Sequence, residues 1–384
     1  KVEAMHKTTD IYGPIPYTRF GLQTPVPYDS QEAVYMRFFA ELNHAIGVLS
    51  NFDRFNPAAK PLDKFDLIYG SDLKKWIRFA NSLKLRLAMR CRAVYDGAQK
   101  LAEEAVNNPY GVLEDNADNA VMQTVGALSF TYNNPFYNIY SVEGYNEDRM
   151  GATMDAYLNG FADPRLPKFF AKAKGDVYRG LRNGMRNGKD FQGDERLSMP
   201  TITRSTPYVW MTAAEVWLLR AEGALFGWNM GGTPEELYAQ GITTSFEQYG
   251  LADAAEAYLA STAKPSAYPG LGTSTAAEAP SDITPAWDES ATKEKKLERI
   301  ITQKWIAIYP LGQEAWSEFR RTGYPKLFPV VDNLSNGKVN TNVQVRRVPF
   351  PASEYVGNRA EVEKAVQLLG GEDTGGTRLW WDKQ

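Results

Sequence analysis

One cysteine, Cys91, and two histidines, His6 and His44, are all that 384 residues contain of either type. A single thiol excludes an intrachain disulfide and any cysteine-clustered zinc or iron–sulfur site. Two imidazoles cannot build a multi-histidine metal site, and a Ser-His-Asp or Cys-His triad would have to use one of them. His44 falls on the polar side of a helical segment, where a surface imidazole is expected. No stretch approaches the roughly 20 uninterrupted apolar residues of a membrane span, and Lys1-Val2-Glu3-Ala4-Met5-His6 has no signal-peptide core. What remains is carboxylates, hydroxyls and aromatics, and the aromatics are in excess: 9 Trp, 21 Tyr and 18 Phe. No catalytic residue, metal or cofactor is assigned from this inventory. With 43% hydrophobic and 23% charged residues, the chain has a globular composition and suits one large domain or two to three smaller ones.

Helical periodicity dominates and strand alternation is scarce, so the expected class is mainly α. From Ser71, the residues Leu73, Trp76, Ala80, Leu83, Leu87, Cys91 and Val94 step by three or four, one stripe of a helix about 25 residues long. Cys91 on that stripe reads as a small buried thiol. The other faces carry Lys74, Lys75, Arg78, Lys84, Arg86, Arg90 and Arg92, with no acid between Asp72 and Asp96. In a chain of net charge −3, and without aromatic-basic interleaving, this predicts a solvated face or an acidic neighbour and no nucleic-acid partner. Asp29 and Ser30 suit the cap of a helix through Val34, Phe38, Leu42, Ala45 and Leu49. Residues 211–226 place Ala214, Leu218, Ala221 and Leu225 on one stripe, with Gly227 at its end. Thr233-Pro234-Glu235-Glu236 then reads as N-cap, first-turn proline and capping-box glutamate of a helix to about Tyr249. Such an antiparallel pair is the unit of tetratricopeptide-like stacking, although no repeat of fixed period accompanies it.

Four long irregular stretches, 126–149, 175–206, 262–287 and 331–349, separate the helices, and loops of that length usually carry function. In the first, Ser129-Phe130-Thr131-Tyr132-Asn133-Asn134-Pro135-Phe136-Tyr137-Asn138-Ile139-Tyr140, then Tyr145-Asn146, alternates aromatic planes with amides. Flat apolar faces beside amides suit a sugar, whose C–H faces stack while its hydroxyl edges exchange hydrogen bonds. At about 25 cal/mol per Å², each covered ring offers roughly 1–3 kcal/mol before ordering costs, so two or three rings give millimolar to micromolar binding. The competing reading makes Phe130, Phe136 and Tyr140 the local core under the loop. Glu215 and Glu222 lie seven apart, about 10.5 Å along a helix axis. Glycosidase carboxyls stand about 5–5.5 or about 6.5–9.5 Å apart, so glutamates tied to Arg220 or to backbone donors are the better reading. Glu114-Asp115-Asn116-Ala117-Asp118-Asn119 offers oxygen ligands for calcium but lacks the glycine and terminal glutamate of an EF-hand loop.

Three passages together resemble the SusD/RagB family of nutrient-binding outer-membrane lipoproteins, in its SusD-like branch. The first is Tyr12-Gly13-Pro14-Ile15-Pro16-Tyr17, with Tyr28-Asp29-Ser30-Gln31-Glu32-Ala33-Val34-Tyr35 and Asp66-Leu67-Ile68-Tyr69-Gly70 leading into Trp76 and Asn81-Ser82-Leu83-Lys84. The second is Asp163-Pro164-Arg165-Leu166-Pro167 with Met211-Thr212-Ala213-Ala214-Glu215 and Arg220-Ala221-Glu222. The third runs Gln303-Lys304-Trp305-Ile306-Ala307, Gly312-Gln313-Glu314-Ala315-Trp316-Ser317-Glu318-Phe319-Arg320-Arg321-Thr322-Gly323-Tyr324-Pro325, Arg346-Arg347-Val348-Pro349-Phe350-Pro351 and Trp380-Trp381-Asp382.

The resemblance implies a single mainly α domain: tetratricopeptide-like helix pairs form a scaffold, mainly 29–108, 211–260 and 290–325. A loop-rich, irregular ligand-presenting part lies mainly at 109–206 and 262–289, with a C-terminal extension at 331–384. It further implies a surface-exposed protein of the outer membrane, held there only by a lipid anchor on a missing N-terminal segment. Its expected partners are a SusC-like TonB-dependent transporter and an oligosaccharide or polysaccharide, which it binds without catalysis. Glu215, Glu222, Arg320, Arg321 and Trp316 are expected to hold helices together, and Tyr132, Asn133, Asn134, Phe136, Tyr137, Tyr140 and Tyr145 to contact ligand. The rival readings are a peptide ligand, a helical polysaccharide hydrolase acting through carboxylates, and a purely structural scaffold.

Overall fold

Side-chain caps mark the helix starts in the computed structural model, which describes residues 1–124, 133–139 and 148–383. The first half holds α1 (Val2–Tyr12), α2 (Gln31–Phe55), α3 (Leu73–Arg90), α4 (Ala98–Val106), α5 (Pro135–Tyr137), α6 (Ala152–Gly160) and α7 (Leu166–Phe169). The second holds α8 (Ala213–Leu225), α9 (Pro234–Gln248), α10 (Ala255–Leu259), α11 (Lys293–Ala307), α12 (Gly312–Thr322), α13 (Ala352–Gly357) and α14 (Arg359–Leu369). Ser30, Asp72, Thr212, Thr233 and Thr292 each accept a backbone N–H of the first turn of the helix they precede, and Thr233 with Glu236 forms the full capping box. The fold is mainly α. Among the described residues, strand pairing is confined to one short antiparallel ribbon, β1 (Ala120–Met122) on β2 (Tyr208–Met211), and to isolated bridges.

The α8–α9 pair has the expected complementarity. Ala213, Ala214, Leu218 and Ala221 are buried on α8, and Leu237, Tyr238, Ile242 and Phe246 on α9. Gly241 lets the two helices approach, because a Cβ there would stand 2.6 Å from the Leu218 side chain. Helices α3 and α11 then pack against α8, and α2 and α4 against α3.

The apolar stripe from Ser71 does not make one long helix. Helix α3 stops at Cys91, and successive tight turns carry the chain to α4: Val94 and Tyr95 N–H donate to Cys91 O, and Ala98 N–H to Tyr95 O. Gly97 permits this turn, since a Cβ there would lie 2.5 Å from the Tyr95 ring. Cys91 is buried as read, and burial pushes its thiol up to about 12, leaving it unreactive. His44 is exposed on α2.

The basic residues of α3 divide: Lys74 stays exposed and Lys75 donates to Ala117 O, whereas the buried arginines further along meet acids. Arg86 donates to both carboxylate oxygens of Glu215 (2.8 and 2.7 Å), and Arg90 to Glu314 (2.6 Å). Lys304 on α11 lies within 3.3–3.6 Å of Glu215, Glu314 and Glu318. Arg321 grips Glu222 and Glu318, and Arg92 completes the Glu222 site at 2.8 Å. Arg220, expected as a glutamate partner on its own helix, turns instead to Glu114 and to Met230 O. Arg320 bonds Asp10 O and Arg346 O, and Trp316 donates to Val345 O, so both tie helices and the C-terminal segment together. Burial opposes the charge on Glu318, but Arg321, Lys304 and Arg90 outweigh it and hold the carboxyl at about 2.

Candidate functional site

The Asn134-Pro135 step makes a short helix where the chain returns to the described structure. Asn134 Oδ1 accepts from the N–H groups of Phe136 (2.9 Å) and Tyr137 (3.4 Å), and Pro135 presets the first turn. The same residue pins that turn to the segment before β2: its Nδ2 donates to Thr206 O (3.0 Å) and its N–H to Arg204 O (3.0 Å). The Phe136 ring consequently stands 5.9 Å from that of Tyr208, at 47°, while the Arg204 guanidinium sits 5.5 Å over Tyr137.

Phe136 and Tyr208 form one side of a cleft of about 420 Å³. Phe169 at the end of α7, Tyr249 beyond α9 and Tyr309 beyond α11 supply further aromatic surface, and Lys168, Thr201 and Gln248 supply polar groups. Tyr309 stacks on Phe169 at 4.7 Å, and Phe169 packs edge-on against Tyr249 at 5.1 Å, so these rings hold one another in place. Burial raises the Tyr249 phenol to about 12, which keeps it a neutral hydroxyl able to donate and accept. The Gln248 Oε1 atom is buried and lacks a hydrogen-bond donor. A cleft with several ring faces beside polar side chains suits a ligand with flat C–H faces and hydrogen-bonding groups at its edge.

Of the seven residues expected from sequence, Asn134 and Phe136 line this cleft. Asn134 has both ends of its amide engaged by backbone, so its contribution is to place Phe136. Asn133 is buried with Oδ1 lacking a donor, and Tyr137 lies under Arg204. Tyr132, Tyr140 and Tyr145 lie outside the described residues, as does Phe130. Tyr208, Tyr249, Tyr309 and Gln248 carried no signal in the sequence, because they sit at the ends of elements where periodicity stops.

Among the described residues, no carboxylate lines the cleft. Glu215 and Glu222 are fully buried and held bidentate by arginines. In the acidic run, Asp118 accepts from Arg78 at 2.7 Å, Asp115 caps Ala117 N–H and Glu114 pairs with Arg220. No cluster of three or more metal-binding side chains occurs among the described residues.

A family model described as SusD-like, "Susd and RagB outer membrane lipoprotein", matches residues 1–382. A chitin-binding SusD homolog from Flavobacterium johnsoniae is 43% identical, with a TM-score of 0.93, over 100% of this chain and 79% of that one. A SusD homolog from Bacteroides uniformis is 42% identical (TM-score 0.92), covering 99% of this chain and 79% of its own. One from Bacteroides thetaiotaomicron is 42% identical (TM-score 0.90), covering 100% and 80%. No curated protein matches the chain.

Proposed function

The chain belongs to the SusD-like family of outer-membrane lipoproteins, and from there we propose that it is a glycan-binding protein that captures oligosaccharides without cleaving them. It passes them to a SusC-like TonB-dependent transporter, and it works at the cell surface, anchored to the outer membrane by lipid. Among the described residues no helix is long and apolar enough to cross a membrane.

The observation that carries this reading is the cleft lined by the rings of Phe136, Tyr208, Tyr249 and Tyr309 together with the polar side chains of Lys168, Thr201 and Gln248. A pyranose stacks on the rings, and its hydroxyl or acetamido groups meet the polar side chains of Lys168 and Thr201. With a chitin-binding relative at 43% identity, β-1,4-linked N-acetylglucosamine is the first ligand to test. The non-catalytic part rests on the glutamates: Glu215 and Glu222 are both locked in arginine pairs, so neither is free to act as acid or base on a glycosidic bond.

Affinity electrophoresis through a panel of neutral and acidic polysaccharides, including a soluble chitin derivative, tests the reading. Retardation by one polymer is expected, with no release of reducing ends over hours. Phe136→Ala should weaken binding by about 1–3 kcal/mol, roughly five- to a hundredfold, at nearly unchanged melting temperature. Binding of peptides in place of every glycan, or sustained release of reducing ends, would overturn it.

A further inference from the structure

A second cleft, of about 460 Å³, opens on the other side of Tyr309. The wall between the two is thin and largely aromatic. Tyr309 contacts Phe169 on the first side at 4.7 Å and Phe170 on the second at 5.2 Å. An antiparallel bridge between Phe170 and Pro200 sets Pro200 in the second cleft and Thr201 in the first. The described chain that leaves the first cleft past Phe136 resumes at Asp148 and Arg149 in the lining of the second.

The second lining repeats the chemistry of the first. Trp305 projects from α11, packed edge-on at 5.8 Å against Tyr157, and its indole N–H makes no hydrogen bond among the described residues. Asn183 and Gln344 face the same space, and neither side-chain amide bonds any described residue. Gln344 has a left-handed backbone, φ 61°, an uncommon conformation for glutamine, inside a turn closed by its N–H on Asn340 O at 2.8 Å. Gly151 lets the Asn183 amide close in, since a Cβ there would stand 3.1 Å from Asn183 Oδ1.

We propose that the second cleft continues the glycan site. It takes the part of an extended oligosaccharide that overhangs the first cleft, with Trp305 and Tyr309 as stacking surfaces and Asn183 and Gln344 as hydroxyl partners. This rests on the glycan reading of the first cleft. It makes the protein a reader of chain length: a short oligomer fills the first cleft alone, and a longer one gains the contacts beyond Tyr309.

The experiment is calorimetric titration of the full chain with the dimer and the hexamer of β-1,4-linked N-acetylglucosamine. The wild type should bind the hexamer at least about tenfold more tightly than the dimer. In Trp305→Leu, and in the double variant Asn183→Ala/Gln344→Gly, that advantage should vanish while dimer affinity holds. Phe136→Ala should lower affinity for both lengths. The double variant removes no side-chain hydrogen bond among the described residues, so it answers the question even where Trp305→Leu loses fold. A hexamer advantage that survives in the folded variants, or its absence in the wild type, overturns the second cleft and leaves the first intact. No binding of either oligomer by the wild type overturns the glycan reading and this inference with it.

Discussion

His6 sits fully buried on α1, with Glu3 Oε2 3.2 Å from its Nε2 and Asp10 Oδ2 3.5 Å from its Nδ1. Arg86 of α3 approaches Glu3 at 3.6 Å, Arg90 approaches Asp10 at 4.0 Å, and Glu314 of α12 lies in the same field. Burial alone would strip the imidazole of its proton, but Glu3 and Asp10 outweigh it and raise the pKa above the ordinary 6.5. A raised folded pKa stabilises fully below the unfolded value and is lost as pH climbs through the folded one. Melting temperature should therefore fall as pH rises above 6.5, and the fall should be shallower in His6→Gln, which starts from a lower melting point. Parallel profiles for the two proteins would mean that His6 is neutral in the fold.

At the scale of elements, α5 is a single turn whose conformation depends on one side chain. Asn134→Ala removes the cap, worth about 1 kcal/mol, and with it the link to Thr206. In a chain this long the melting temperature should drop by no more than about 2 °C. Glycan affinity should nevertheless fall as it does in Phe136→Ala, because the ring loses its seat; Asn134→Asp keeps the capping oxygen but turns a carboxylate toward Thr206 O in place of the Nδ2 bond, so it should lose affinity as well. Undiminished binding by Asn134→Ala would show that another contact positions Phe136. Sequence alone places this element inside one irregular stretch, 126–149, and its Asn-Pro start is the local signal that this reading misses. Two helix starts were legible through local cap signals, at Ser30 and Thr233. The length of α3 was not, since its apolar stripe continues to Val94 while the Tyr95–Gly97 turn takes the backbone away. The rest of the cleft was hidden too. Phe169, Tyr249 and Tyr309 follow three helices far apart in sequence, and only tertiary packing brings those helix ends together.

Across the whole molecule, one buried array of charges joins α1, α3, α8, α11 and α12, and the buried Arg86 and Arg90 of α3 make sense only inside it. Such an array is a costly way to fill a core, and it holds as long as every member is charged, because removing one partner leaves the other uncompensated at about 3–5 kcal/mol. Its carboxylates are the members that acid reaches first. Burial works against the charge on Glu3, Glu222, Glu314 and Glu318, yet their cationic neighbours prevail and depress all four, Glu3 and Glu318 to about 2. Depressed carboxylates stabilise fully above their unfolded pKa, near 4.5, and lose that contribution as pH falls toward the folded value. The chain should keep its acid-side stability down to about pH 5 and then unfold steeply and cooperatively between there and pH 2, as the four sites protonate together. Because the array is sealed from solvent, the midpoint should shift little with salt, unlike that of a protein held by surface pairs. A gradual loss beginning near neutrality, or a midpoint that moves strongly between low and high salt, would place the controlling charges on the surface instead. Neither cleft is lined by Glu3, Glu222, Glu314 or Glu318. Glycan affinity should thus stay level down to the pH at which the scaffold itself gives way, and then be lost with it in one step.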